Sequence, residues 1–299
     1  MSAGGATLVA WAITTDVLWI AKGPRGYKQV ATPETGQTFG YFQRELARIK
    51  AHLLAQKLKA ALTTDDVDAA MDGDPHVVLA TEGSVFLEED LSRVQTAFDL
   101  GIRHIQLVHY SGNSVADFQT EEPKHGGLTA FGRDVVRECN RLGILIDLAH
   151  CTEQVVDQVL EISDAPVIWS HSSIAPGARP HWSMIGWKAR QLTLDAARRI
   201  AARGGVIGLW ALRIDAAHSV SSYADRMLLM ADQVGEDHVA FGSDFTDNPA
   251  DRDFGEFRSY ADLRKVVDMW ETKRIPERTI RKLAGQNYAR VLKRAMARG

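Results

Sequence analysis

Short, nearly unbroken apolar runs alternate along this chain with longer stretches in which apolar residues return every three or four positions. The runs cover residues 7–13, 76–82, 104–109, 144–150, 167–171, 205–210 and 239–245. Each has the length of a strand. A run without polar alternation predicts a strand covered on both faces, as in a parallel sheet. Between the runs, apolar spacing predicts helices over 39–62, 88–100, 130–142, 152–162 and 193–203, and the tail 276–298 reads as two helices around Gly285. The punctuation agrees. Glu88, Glu89 and Asp90 suit a helix N-terminus, Thr152 is placed to cap one, and Gly143 is placed to end one.

Strands that alternate with helices build βαβ units on a parallel sheet. The predicted fold is therefore α/β, a TIM-type (β/α) barrel. A closed barrel has eight strand–helix units, whereas seven are countable here, and the first run begins directly behind Met1. The barrel is thus expected to lack its first strand in this chain. The runs at 7–13 and 239–245 would then be left as unpaired edges.

Composition adds limits. With 299 residues, 45% of them hydrophobic and 24% charged, the chain reads as one globular domain over 1–299. The net charge is −3 and the basic residues are dispersed, which argues against a nucleic-acid partner. The two cysteines, Cys139 and Cys151, lie in apolar or helical stretches and imply reduced, buried thiols. Residues 6–21 are apolar, but Asp16 interrupts them and neither a basic leader nor a cleavage site flanks them. They read as neither signal peptide nor membrane span. As written, the chain is expected to be cytoplasmic and without a membrane partner; an upstream signal segment would change that if the start is misplaced.

The chemistry lies at the ends of the runs. The second ends in Glu82, the third in His109, the fourth in His150 and the fifth in His171, and the seventh carries Asp244 near its end. In a parallel barrel the C-terminal strand ends converge on one mouth. Imidazole and carboxylate are zinc ligands, and a catalytic zinc keeps a position open for water. A single strand-end histidine is ordinarily a hydrogen-bonded rim residue; three of them with two carboxylates at matching ends point to a metal site. Asp147 reads as structural. His52, His76, His104, His181, His218 and His238 sit at helix or strand-start positions that do not suit ligands. Trp169, Trp182, Trp187 and Trp210 read as packing, with Trp210 placed to line a pocket.

These residues also carry a resemblance. The stretch 127–150, Gly-Leu-Thr-Ala-Phe-Gly-Arg-Asp-Val-Val-Arg-Glu-Cys-Asn-Arg-Leu-Gly-Ile-Leu-Ile-Asp-Leu-Ala-His, resembles the membrane (renal) dipeptidase family of zinc metallopeptidases. So do 165–173 (Ala-Pro-Val-Ile-Trp-Ser-His-Ser-Ser), 107–113 (Leu-Val-His-Tyr-Ser-Gly-Asn), 241–245 (Phe-Gly-Ser-Asp-Phe) and 287–292 (Asn-Tyr-Ala-Arg-Val-Leu). The resemblance implies an amidohydrolase-like barrel that hydrolyses a dipeptide with a zinc-activated water. It implies that Glu82 bridges two zinc ions and that His150 and His171 are ligands of one of them. It also implies that His109 contacts the substrate and its oxyanion, that Asp244 handles the proton, and that Arg190 grips the substrate carboxylate. A guanidinium suits that last task because its fork makes paired bonds to a carboxylate.

The chain departs from the family pattern in three places. The His-x-Asp motif of the family's first strand, which supplies the other zinc, occurs nowhere in this chain. Gln191 stands for the family's Asn, and Trp210 and Leu212 stand where the family has a tyrosine. The expectation is a zinc dipeptidase with one zinc or partial occupancy instead of two. The alternatives are a degenerate, inactive or one-metal barrel, or a related amide or lactam hydrolase of a biosynthetic pathway. The expected partner is a small molecule or dipeptide, with the chain acting alone or as a homodimer.

Overall fold

The computed structural model describes residues 4–177, 179–246 and 253–299. Seven parallel strands form one continuous path: β1 (Leu8–Thr14), β5 (His76–Glu82), β6 (Ile102–Gln106), β7 (Leu145–Asp147), β8 (Ile168–Ser172), β9 (Val206–Leu209) and β10 (Val239–Phe241). An antiparallel hairpin, β2 (Ile20–Gly23) with β3 (Gly26–Gln29), follows β1 outside this sheet. A short parallel strand, β4 (Lys59–Ala60), pairs with the start of β5. The sheet curls into a half-barrel, and β1 and β10 do not pair with each other among the described residues. The strand order therefore agrees with the unclosed barrel that the count of seven units predicts.

The two sheet faces have different covers. On the inner face Val78, Leu145, Ile168, Val206 and Ala240 pack in one cluster with Ala289, Val291, Leu292 and Ala295 of the C-terminal helix α11 (Asn287–Met296). That helix floors the half-barrel at the N-terminal strand ends. Asn287 Nδ2 donates to the carbonyls of Glu236 (2.7 Å) and Val239 (2.8 Å), and Arg290 Nη1 donates to that of Gly204 (2.8 Å). A two-sided cover explains why the runs are apolar throughout instead of alternating. The helices over the outer face include α4 (Ala130–Leu142), α5 (Glu153–Ile162) and α7 (Leu194–Ala202). Thr129, Thr152 and Thr193 cap them by accepting from the amides of Gly132, Val155 and Ala196. Gly143 takes the left-handed conformation (φ 72°) that ends α4.

Several boundaries differ from the sequence reading. The helix expected over 39–62 is α1 (Gln37–Ala55), which stops as Lys57 turns left-handed (φ 55°) and hands the chain to β4. The helix expected from Glu88 begins only as α3 (Ser92–Asp99). Glu88 serves a helix N-terminus as expected, but that of α1: its carboxylate accepts from the amides of Gly36 (2.6 Å), Thr38 (3.1 Å) and Phe39 (3.2 Å). The third, fourth and seventh runs form strands only in part, so His109, His150 and Asp244 lie in the turns beyond β6, β7 and β10. Among the described residues no helix is long and apolar enough to cross a membrane.

Candidate metal centre

The parity of β5 aims Glu82 inward, since Val78 of the same face packs in the interior cluster. Thr14, paired with Glu82 in the β1–β5 register, donates its hydroxyl to Glu82 Oε2 at 2.8 Å. The other oxygen, Oε1, faces three imidazoles. His109 Nε2 lies 3.3 Å from it, His150 Nε2 3.4 Å and His171 Nε2 3.6 Å. The Nε2 atoms of His150 and His171 approach to 3.2 Å. Glu82, His150 and His171 each offer one ligand atom, all within 4.8 Å of one another.

The electrostatics suit a cation. Burial would raise the Glu82 pKa, but the three imidazoles outweigh it and hold the carboxyl well below the usual range. Burial, helped by the Arg190 charge, pushes the His150 and His171 pKa values down and keeps both rings neutral, the form that binds a metal. Glu82 Oε1 and His150 Nδ1 are buried and lack a hydrogen-bond partner. Buried acceptors are normally satisfied, so an oxygen left bare among three ring nitrogens fits a metal cation as the absent partner. The donor set of one carboxylate and two imidazoles is that of a catalytic zinc with positions to spare.

His109 is held from behind. Its Nδ1 lies 2.6 Å from Asp16 Oδ1, while Asp16 Oδ2 accepts from the Tyr110 amide at 3.1 Å. Burial alone would lower the His109 pKa; the carboxylates of Asp16 and Glu82 outweigh it and raise it to about 10. Arg190 follows the short helix α6 (Gly186–Ala189) and is 2% exposed. Its Nε donates to Gln119 Oε1 (3.2 Å) and its Nη1 to the Tyr110 hydroxyl (3.2 Å), and its Cζ lies 5.7 Å from each of the Tyr110 and Trp210 ring centres. Its Nη2 is buried without a partner, which leaves one arm of the fork for an anion. Asp244 stands near enough for its charge to act on His171. Both His150 (φ 71°) and Asp244 (φ 58°) take left-handed backbone, uncommon for residues with a side chain and concentrated at functional sites.

Of the site residues inferred from the sequence, His109, His150 and His171 surround Glu82, Arg190 reaches towards them from the end of α6 through Tyr110, and Asp244 acts on His171 through its charge. The strand-end pattern of ligand-type residues does not single out Asp16, Thr14 or Gln119. Asp16 reads in the sequence as a break in an apolar run, but it stands just past the end of β1, where the same rule, applied to the first run, reaches it. Gln191 donates to Ser173 Oγ (3.0 Å) and Asp215 Oδ1 (3.2 Å), and Trp210 Nε1 to Asp215 Oδ2 (2.7 Å). Together they form a polar wall next to Arg190.

Known proteins are similar to this chain in sequence or in fold. Dipeptidase tcpJ of Claviceps purpurea (strain 20.1) is 29% identical over 97% of this chain and 67% of its own length. Dipeptidase verJ of Clonostachys rogersoniana is 32% identical over 64% of this chain and 48% of its own. The chain spans between about half and two thirds of these curated relatives. A metallopeptidase from Rhodobacter sphaeroides, solved with a phosphinate mimic of the dipeptide L-Ala-D-Ala, has the same fold. It superposes with a TM-score of 0.76 over 99% of this chain and 88% of that one, at 22% identity. Residues 12–298 match the family model described as membrane dipeptidase, peptidase family M19. With that match running almost from end to end, the chain belongs to the membrane dipeptidase family, a family of metal-dependent peptidases.

Proposed function

We propose that this chain hydrolyses the peptide bond of a dipeptide, using one zinc ion held by Glu82, His150 and His171. The observation that carries the reading is the bare Oε1 of Glu82, buried between the Nε2 atoms of His150 and His171. When bound, zinc supplies Lewis acidity and a lowered pKa for the attacking water. The remaining work falls to the chain's own residues. The free Nη2 of Arg190 takes the substrate's C-terminal carboxylate and fixes the register of the peptide bond. With Nδ1 committed to Asp16, His109 offers Nε2 to the carbonyl oxygen, where charge develops during attack. Asp244 accepts the water's proton and returns it to the leaving amine.

A single ion is favoured over two because, among the described residues, one ligand triad is close enough to hold an ion. The test has two parts. Zinc titration followed by elemental analysis should give about one ion per chain, and two would overturn the one-ion reading. A dipeptide panel that includes C-terminal D-residues, such as L-Ala-D-Ala, should show zinc-dependent turnover. A folded, zinc-loaded chain inactive on every dipeptide would overturn the peptidase reading.

A further inference from the structure

Asp147 ends β7 inside the half-barrel and is 2% exposed. One of its oxygens, Oδ1, accepts two backbone hydrogen bonds, from the amide of Ala149 at 2.9 Å and from that of Ser170 at 3.0 Å. Ala149 immediately precedes His150 and Ser170 immediately precedes His171. The single oxygen therefore ties together the backbone just before each imidazole of the candidate triad, across two neighbouring strands. On the β7 side the bond closes a turn of the Asx kind, from Asp147 to the residue two further on. That turn leads straight into His150 and its left-handed backbone (φ 71°), a conformation that persists only where surrounding contacts over-determine it. On the β8 side the held residue is also a partner of the ligand: Ser170 Oγ lies 2.8 Å from His171 Nδ1.

The second oxygen of Asp147 is held too. His104 Nε2 lies 3.2 Å from Oδ2, and His104 Nδ1 lies 3.3 Å from the Tyr288 hydroxyl on α11. An ionised carboxylate only accepts, so His104 donates to it from Nε2, while Nδ1 faces the Tyr288 hydroxyl. The file Tyr288–His104–Asp147 thus runs from the floor helix to the backbone behind both imidazoles.

We propose that Asp147 is the positioning residue shared by His150 and His171, setting their spacing for a metal ion, and that His104 and Tyr288 hold it in place. The inference rests on the reading of His150 and His171 as ligands. Asp147 is not one of the three residues of the candidate triad. Partners of this kind behind a ligating histidine typically change metal affinity by about 10–100-fold.

The experiment measures Zn²⁺ affinity by competition with a chromophoric chelator, together with the visible spectrum of the Co²⁺-loaded chain. The wild type, D147A, D147N and H104Q are compared, with circular dichroism confirming the fold. D147A should bind Zn²⁺ about 10–100-fold more weakly and show altered cobalt bands. D147N keeps an oxygen between the two amides and should recover most of the affinity. A folded D147A with wild-type affinity and spectrum overturns the proposal, as does a D147N no better than D147A. If D147A does not fold, H104Q decides: several-fold weaker binding supports the file, and wild-type affinity with an unchanged spectrum overturns it. A wild-type chain that takes up neither ion would instead sink the metal-centre reading on which the proposal stands.

Discussion

Asp16 Oδ1 stands 2.6 Å from His109 Nδ1, so a residue just beyond the first strand fixes the ring of a residue 93 positions later. D16A frees that ring to turn away from the site. The expected result is a fall in kcat of about 10²-fold, the scale of losing one oriented donor to a developing oxyanion. Zinc content should stay at the wild-type value, because Asp16 is not part of the ligand triad. Loss of zinc in parallel with activity would show that Asp16 supports the metal and not the imidazole.

Glu82 supplies the charge that offsets a dication. E82Q keeps the shape and removes the charge, so metal content and activity should fall together. E89Q, an exposed position in the following loop, should change neither. Elemental analysis and a dipeptidase assay on both variants check this, and equal losses from both would contradict the role given to Glu82.

Arg190 is expected to act mainly in binding. R190M leaves the substrate carboxylate without its partner, and a hydrogen bond to a charged group contributes about 1.5–3 kcal/mol. KM should therefore rise by about 10–100-fold with a smaller change in kcat. R190K retains the charge but not the fork and should recover only part of the loss. A selective fall in kcat at unchanged KM would argue against carboxylate binding.

Glu88 makes stability depend on pH through the cap of α1. Burial would raise its pKa, but bonds from Thr38, the Gly36 amide and Arg93 outweigh it and bring it down to about 2. A carboxyl depressed on folding stabilises fully above its unfolded pKa, and the benefit disappears as pH falls through the folded value. Each pKa unit corresponds to about 1.4 kcal/mol, so the upper bound here is about 3 kcal/mol. E88Q should be less stable than wild type in urea at pH 7, with the gap closing between pH 5 and about pH 2. A gap independent of pH would show that shape, not charge, matters at this position.

What the sequence made legible follows from how local each signal is. The run 76–82 coincides with β5 because every residue in it is covered by its own sheet neighbours, up to Glu82 at the rim. The runs through Leu107–Val108 and Leu148–Ala149 overshoot because those residues are fully buried by packing beyond the paired strand, and apolarity alone cannot separate the two situations. The hairpin of β2 and β3 and the helix Val220–Val234 went unread, although Pro24-Arg25 between two glycines and the three-and-four spacing of Val220, Tyr223, Ala224 and Met227 mark them. Asp16 and Asp147 are different. Asp16 can be placed at a strand end, but its partner His109 lies 93 positions away, and one of the two amides that Asp147 holds lies 23 positions away, so which groups these carboxylates serve emerges only after folding.

The floor helix α11 is synthesised after every strand it covers. Until it docks, Val78, Leu145, Ile168 and Val206 face water or other chains. The half-barrel therefore cannot seal strand by strand as it leaves the ribosome. Its interior depends on contacts between the C-terminal helix and strands that lie far earlier in the sequence, which form late and slowly. An emerging chain of this kind is most exposed to self-association just before synthesis of α11 is finished. Refolding yield should accordingly fall with protein concentration more steeply than for a barrel whose interior its strands fill by themselves.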